Sequence, residues 1–272
     1  MSITRRTFVR AAAGSVAVST SMAVGLFVPR SAGAALPPQT FFAPSPAAAV
    51  DAVLGSAQSM PDPAVKLDVP GIADSADVVP LSVSTTLDNV ESITIVAEKN
   101  PNPVIAFFRL DPALEPYVAT RIRLAESGDV SALVMSGKTV HRATKNVEIG
   151  LPGCGDPEAE GDSKGHVEVT NTIRMKATKV DGGVLVRALI THPTRPPRKP
   201  ATPGAPVSGN FIQEVTAEVN GKTVLSGDWS AGVSENPYLS FKIRQAKQGD
   251  VIRLRWTDGS GNSDSTQVEV GS

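Results

Sequence analysis

Short β-branched and apolar runs, each closed by a turn signal, recur along this chain from residue 77 to its end. They occupy 77–83, 92–97, 104–110, 117–124, 130–135 and 139–149, then 172–177, 184–191, 211–219, 223–229, 237–244, 250–257 and 266–270. Within Val118-Ala119-Thr120-Arg121-Ile122-Arg123-Leu124 the apolar and polar residues separate with period two, the mark of a strand with one buried face. Lys99-Asn100-Pro101-Asn102-Pro103, Asp111-Pro112, Ser127-Gly128-Asp129 and Ser136-Gly137 punctuate the first set, and Asp181-Gly182-Gly183 and Asn220-Gly221 read as hairpin turns in the second. With 23 Gly and 22 Pro in 272 residues, long helices are excluded as the main element. Regularly spaced strands of this length predict an all-β chain of antiparallel sandwiches.

The runs fall into two groups, which predicts two β-sandwich domains, one over 67–150 and one over 166–272. Between them, 151–165 has no periodicity and is rich in Gly, Pro and acid, as a linker is. Residues 35–66 read as a leader of Ala, Pro and Ser with one short helix over 47–58, and 192–209 as an exposed Pro-rich loop. The first residues are an address. Thr4-Arg5-Arg6-Thr7-Phe8-Val9-Arg10 fits the twin-arginine export pattern, an Ala-rich apolar stretch follows, and Ala32-Gly33-Ala34 supplies a small-x-small cleavage site. A signal peptide over 1–34 predicts a mature protein in a bacterial periplasm, with no membrane association once it is removed.

One residue stands apart chemically. Cys154 is the only cysteine, and it lies inside the linker between Gly153 and Gly155. A lone thiol cannot close an internal disulfide, so it is free, modified or paired with another molecule. The flanking glycines remove bulk and widen the backbone's choices, so the thiol can be pushed into a narrow cleft of another protein. Asp156, Glu158, Glu160 and Asp162 follow it, and the nearest cations in sequence are Lys145 and Lys164. Acids this close disfavour a thiolate. Cys154 therefore reads as a cargo site activated by a partner rather than as a self-activated nucleophile. An incidental free thiol on a structural protein of sandwich domains is the competing reading.

The residues around these features resemble the SoxYZ sulfur-carrier family of the bacterial thiosulfate-oxidising (Sox) system, with its two subunits fused in one chain. The SoxY-like part carries Leu67-Asp68-Val69-Pro70-Gly71-Ile72-Ala73-Asp74, Val79-Pro80-Leu81, Asn100-Pro101-Asn102-Pro103 and Val147-Glu148-Ile149-Gly150, followed by the Gly-Cys-Gly element. The SoxZ-like part carries Leu189-Ile190-Thr191-His192-Pro193, Val233-Ser234-Glu235-Asn236-Pro237-Tyr238 and Trp256-Thr257-Asp258. The resemblance implies two immunoglobulin-like sandwiches packed together, and a non-catalytic protein that carries thiosulfate-derived sulfur covalently on Cys154. It also implies the SoxAX cytochrome, the SoxB hydrolase and, where present, SoxCD as partners. Two departures stand out: Leu151-Pro152-Gly153 replaces a Gly-Gly stretch before the cysteine, and the chain continues past Cys154 instead of ending there. Fused relatives are also associated with quinoprotein dehydrogenases, which gives an alternative setting for the same carrier chemistry.

Other constellations are weak. His141, His166 and His192 share no ligand spacing, which predicts no metal site and no cofactor, and each reads as a surface or turn histidine. Asp258-Gly259-Ser260-Gly261-Asn262-Ser263-Asp264 imitates a calcium loop but has Ser263 at the position that needs Gly, so a polar hairpin turn is expected. Trp229, Trp256, Tyr238 and Phe241 fall in strands and read as packing residues. Arg195, Arg198 and Lys199 make a small basic patch in a loop. The net charge of −1 argues against a nucleic-acid partner.

Overall fold

Ser45 starts the described chain by capping a helix. A computed structural model describes residues 45–55, 58–150, 172–194 and 209–271. The signal peptide, the linker with Cys154, His166 and the basic patch lie outside the described residues. Helix α1, Pro46–Leu54, has Ser45 as N-cap, with its Oγ accepting from Ala48 N at 3.2 Å, and Pro46 in the first turn, where no amide donor is missed. Gly55 ends it at φ 72°, and its N–H donates to the Asp51 carbonyl at 2.7 Å.

Sixteen strands follow among the described residues. The first group is β1 Met60–Pro61, β2 Val65–Asp68, β3 Ile72–Ala73, β4 Val79–Thr85, β5 Val90–Ala97, β6 Val104–Leu110, β7 Leu114–Ile122, β8 Gly128–Ser136 and β9 Thr139–Ile149. The second is β10 Thr172–Val180, β11 Gly183–Thr191, β12 Ile212–Val219, β13 Lys222–Trp229, β14 Tyr238–Ile243, β15 Val251–Asp258 and β16 Ser263–Glu269. Every run read from the sequence lies on one of these strands. Pairing begins earlier than the alternation indicates, because β1 and the first half of β2 fall in the stretch read as leader. The Asn220-Gly221 turn holds both residues at positive φ, 50° and 81°, as a tight hairpin between β12 and β13 requires.

The all-β sandwich expectation holds, with one feature that sequence periodicity does not disclose. Both sheets run through the whole body. The larger has ten strands in the order β1-β9-β8-β5-β6-β13-β12-β15-β16, with β3 also on β9, and the smaller has the order β10-β11-β14-β7-β4-β2. Five residue pairs join β6 to β13 and four join β7 to β14, with an isolated Ile122–Val233 bridge beside them. One apolar core accordingly reaches from Ile95, Phe108 and Val118 in the first group to Val186, Trp229 and Phe241 in the second. Gly227 sits at this seam because a Cβ there would lie 2.8 Å from Val215 Cγ1 and 3.1 Å from Phe108.

A second apolar cluster explains the helix. Strands β6 and β8 are buried on both faces, with Ile105, Phe108, Val130, Ala132 and Val134 pointing into the main core. Val104, Phe107 and Leu133 point the other way, where Ala49, Val50 and Val53 of α1 cover them together with Val96 and Val140. The leader is thus tied to the outer face of the larger sheet at its helix. Fully apolar runs such as Val104-Ile105-Ala106-Phe107-Phe108 carry that information, since a strand with one wet face would alternate.

Candidate functional site

Strand direction brings the residues that carry the family-like motifs to one end of the body. Strands β5, β7, β9, β11, β13 and β15 finish there and β4, β6, β8, β10, β14 and β16 start there, as their registers require. The turn 98–103, the crossing 69–78, the loops 123–127 and 230–237, His192 and the turn 259–262 therefore lie together, although up to about 190 residues separate them in sequence.

Hydrogen bonds stitch this end together. Gly150 N donates to the Ala73 carbonyl at 2.9 Å, Leu124 N to the Ala76 carbonyl at 2.8 Å, and Ile149 N to Ser127 Oγ at 2.9 Å. Asn100 is buried in its Pro-rich turn. Its Nδ2 donates to the Arg123 carbonyl and its Oδ1 accepts from Ala125 N, both at 2.8 Å. Arg123 reaches Asp77 in an ion pair at 2.9 Å, and its N–H donates to the Gly232 carbonyl at 2.7 Å, tying the two halves. The base from which residues 151–171 leave is held by three separate segments.

Cys154 and its neighbours Gly153 and Gly155 lie outside the described residues, so covalent geometry alone bounds them. Cys154 is four residues past Gly150, which keeps the two Cα atoms within about 14 Å. Gly150 follows β9, which faces β2 across the core, whereas Thr172 opens β10 at the opposite edge of the smaller sheet. Five strand spacings separate β2 from β10, about 24 Å, and the 22 peptide steps from Gly150 to Thr172 can span about 75 Å. The connection is long enough to cross this end of the molecule with ample slack.

His192 corrects the sequence reading. It is not a surface or turn histidine: its side chain is fully buried. Its Nδ1 lies 2.9 Å from Thr194 Oγ1, its Nε2 lies 3.2 Å from Asp258 Oδ2, and its ring stands edge-on to Trp256 at 5.0 Å. A carboxylate only accepts, so Nε2 carries the proton. Its backbone N–H also donates to Asn236 Oδ1. This resembles a hydroxyl–imidazole–carboxylate relay, but Thr194 is 5% exposed and the group closes over Trp256, so it works as a clamp on three loops. The Thr191-His192-Pro193 and Trp256-Thr257-Asp258 motifs gave the signal; what they lacked was their mutual contact. The imitation of a calcium loop is the expected hairpin turn, in which Asp258 accepts from Ser260 N, Asn262 N and Asn262 Nδ2. His141 is half-buried on β9, 2.7 Å from Asp62.

Burial works to raise the Asp258 carboxyl, but the hydrogen bonds from Asn262, His192 and Ser260 outweigh it and hold it below the usual carboxylate range. A depressed pKa stabilises the fold above the unfolded value of about 3.9, and that contribution disappears as pH falls through the folded value. Asp258→Asn is expected to cost about 1–3 kcal/mol at pH 7, with the gap to the native protein closing as pH drops below about 4. Urea unfolding at pH 7 and pH 3 checks this, and an equal gap at both values would remove the carboxylate from the account.

Comparison with known proteins assigns the two halves. The family model described as sulfur oxidation protein SoxY matches residues 50–154, and the one described as sulphur oxidation protein SoxZ matches 173–269. The chain belongs to the SoxY and SoxZ families. The two are fused here, SoxY first, and the matches together take in well over half of the chain. The SoxY match ends at Cys154. Among solved structures, the sulfur carrier protein SoxY from Chlorobium limicola f thiosulfatophilum is 28% identical, with a TM-score of 0.36 over 41% of this chain and 96% of that one. Bovine butyrophilin is 9% identical, with a TM-score of 0.24 over 78% of this chain and 100% of that one. A chimeric titin Z1Z2 tandem is 16% identical, with a TM-score of 0.21 over 78% and 93%. No curated protein matches. Membership places the chain among the carrier components of the sulfur-oxidising system, with other Sox proteins as its partners.

Proposed function

We propose that this protein holds thiosulfate-derived sulfur covalently on Cys154 in the periplasm and presents it to Sox enzymes that dock at the loop end. SoxAX loads the thiol and SoxB hydrolyses sulfate from it, with SoxCD acting where it is present. The observation that carries the reading is positional. The SoxY match stops on the only cysteine, four residues beyond Gly150, where β9 hands the chain to the end that gathers the motif loops. A twin-arginine signal over 1–34 delivers the protein there already folded. That order suits a body whose two halves share both sheets.

Intact mass of the mature protein, purified from cells grown on thiosulfate, tests this. Reducible adducts of sulfur and sulfonate mass are expected on the native chain and absent from Cys154→Ala. A bare thiol on the native chain, even after incubation with thiosulfate and SoxAX, sinks the reading and leaves the quinoprotein-dehydrogenase or structural settings.

A further inference from the structure

Strands β10 and β11 give the outer face of the smaller sheet a basic margin. Ile173, Met175 and Ala177 turn toward the main core, which leaves Arg174 and Lys176 exposed on the other side. On β11, Val186 and Ala188 are buried and Arg187 between them is exposed. The register sets Lys176 directly opposite Arg187, with Arg174 opposite Leu189 two residues along. Like charges in directly opposed positions lie about 5 Å apart at Cβ and repel. Lys242, farther across the same sheet, is neutralised by Glu115 at 2.8 Å. Arg174, Lys176 and Arg187 meet no carboxylate among the described residues. Three uncompensated cations on adjacent strands, in a chain of net charge −1, call for an anionic neighbour.

The chain itself supplies one. Asp156, Glu158, Glu160 and Asp162 fall at every second residue, so an extended segment turns all four carboxylates to one side. Covalent reach suits the pairing. Asp162 precedes Thr172, the first residue of β10, by ten peptide steps, which span at most about 34 Å. Lys176 lies four residues farther on, about 13 Å down the strand. From the other side, the ten steps from Gly150 to Glu160 also span about 34 Å, more than the about 24 Å between β2 and β10. We propose that residues 156–162 dock on the outer face of β10 and β11, with their carboxylates paired to Arg174, Lys176 and Arg187. The proposal goes beyond the carrier reading and does not depend on it, because it assigns a surface of the SoxZ half to the acidic segment that follows Cys154. A connection held there is anchored twice, at Gly150 on the SoxY half and on the β10/β11 face. The stretch that contains Cys154 is then much shorter than the separation of β9 and β10 along the chain.

Cleavage of the full mature chain by a glutamate-specific protease, followed by intact mass, reads the docking, because Glu158 and Glu160 lie in the segment. A free peptide of residues 155–165 gives the intrinsic rate at each salt concentration. At low salt, Arg174→Gln/Lys176→Gln/Arg187→Gln protein is expected to be cut there about three- to ten-fold faster than the native chain. Addition of about 0.5 M NaCl should bring the native chain to the variant's rate, since exposed ion pairs are screened. Charge reversal gives the converse. Asp156→Lys/Glu158→Lys/Glu160→Lys/Asp162→Lys protein, read with a lysine-specific protease, should be cut at its free-peptide rate. Adding Arg174→Glu/Lys176→Glu/Arg187→Glu to that chain should restore protection. Equal rates for the native and triple-Gln chains at low salt, with matching thermal unfolding, overturn the proposal. Should the triple-Gln chain unfold, the reversed pair decides, and a failure to restore protection overturns it. Protection that fades on dilution also overturns it, in favour of a second copy covering the face. Cys154 takes no part in this readout, so loss of the docking leaves the carrier reading standing, and loss of the carrier reading leaves the docking.

Discussion

Cutting the mature chain once, at a protease site placed within 156–165, is expected to yield two fragments that elute as one 1:1 complex and unfold in one transition. The reason is the seam. Five registered pairs between β6 and β13 and four between β7 and β14 continue both sheets across it. Phe108 meets Trp229 edge-on at 6.3 Å, and the core residues of the two halves form one cluster. Neither half can withdraw without exposing two sheet edges and the large side chains packed between them. Size-exclusion chromatography with light scattering, followed by calorimetry, reads both outcomes. Two peaks, or two separate transitions, would show that the covalent connection holds the halves together. An intact complex would also free the arm at its far side, so the cleaved protein tests whether the tether restrains loading.

The second large effect is expected at the most buried of the ion pairs that cross the seam among the described residues. Arg109 on β6 meets Asp228 on β13 at 2.8 Å, with side chains 21% and 5% exposed, and the guanidinium also lies over Phe107 at 4.6 Å. Asp228→Ala leaves a charged group in a poorly solvated place without its carboxylate, and this is expected to cost about 2–4 kcal/mol. The loss should appear as a lower urea midpoint in the intact chain and as dissociation of the cleaved one. A change below about 0.5 kcal/mol would mean that strand pairing and apolar packing hold the seam alone.

The strands were legible because their information is local. Val104–Leu110 and Thr139–Ile149 are bounded by turn residues on each side, and the structure keeps those limits. The shared sheets were not legible, since nothing in the sequence of β6 or β14 states which edge pairs with which, and that pairing is settled by three-dimensional packing. The same holds for His192. Beside a proline it reads as a turn residue, and only the approach of Asp258, 66 positions later, makes it a buried clamp. The helix was expected, but its seat was not, because Val104, Phe107 and Leu133 belong to strands that also feed the main core. The cysteine arm was the converse case. Its composition marked it at once, and the described structure reaches only its root at Gly150, just past β9.

Four peptide steps from an anchored glycine confine the Cys154 Cα to a sphere of about 14 Å radius. Within such a volume one thiol amounts to an effective concentration on the order of 0.1 M. A cleft that opens into that sphere meets the thiol without a diffusional search, and a cleft outside it meets none. The sphere is also smaller than an enzyme. Under the carrier reading, partners must take turns at the same end of the molecule, so loading and unloading are mutually exclusive by geometry, with no signal needed to order them.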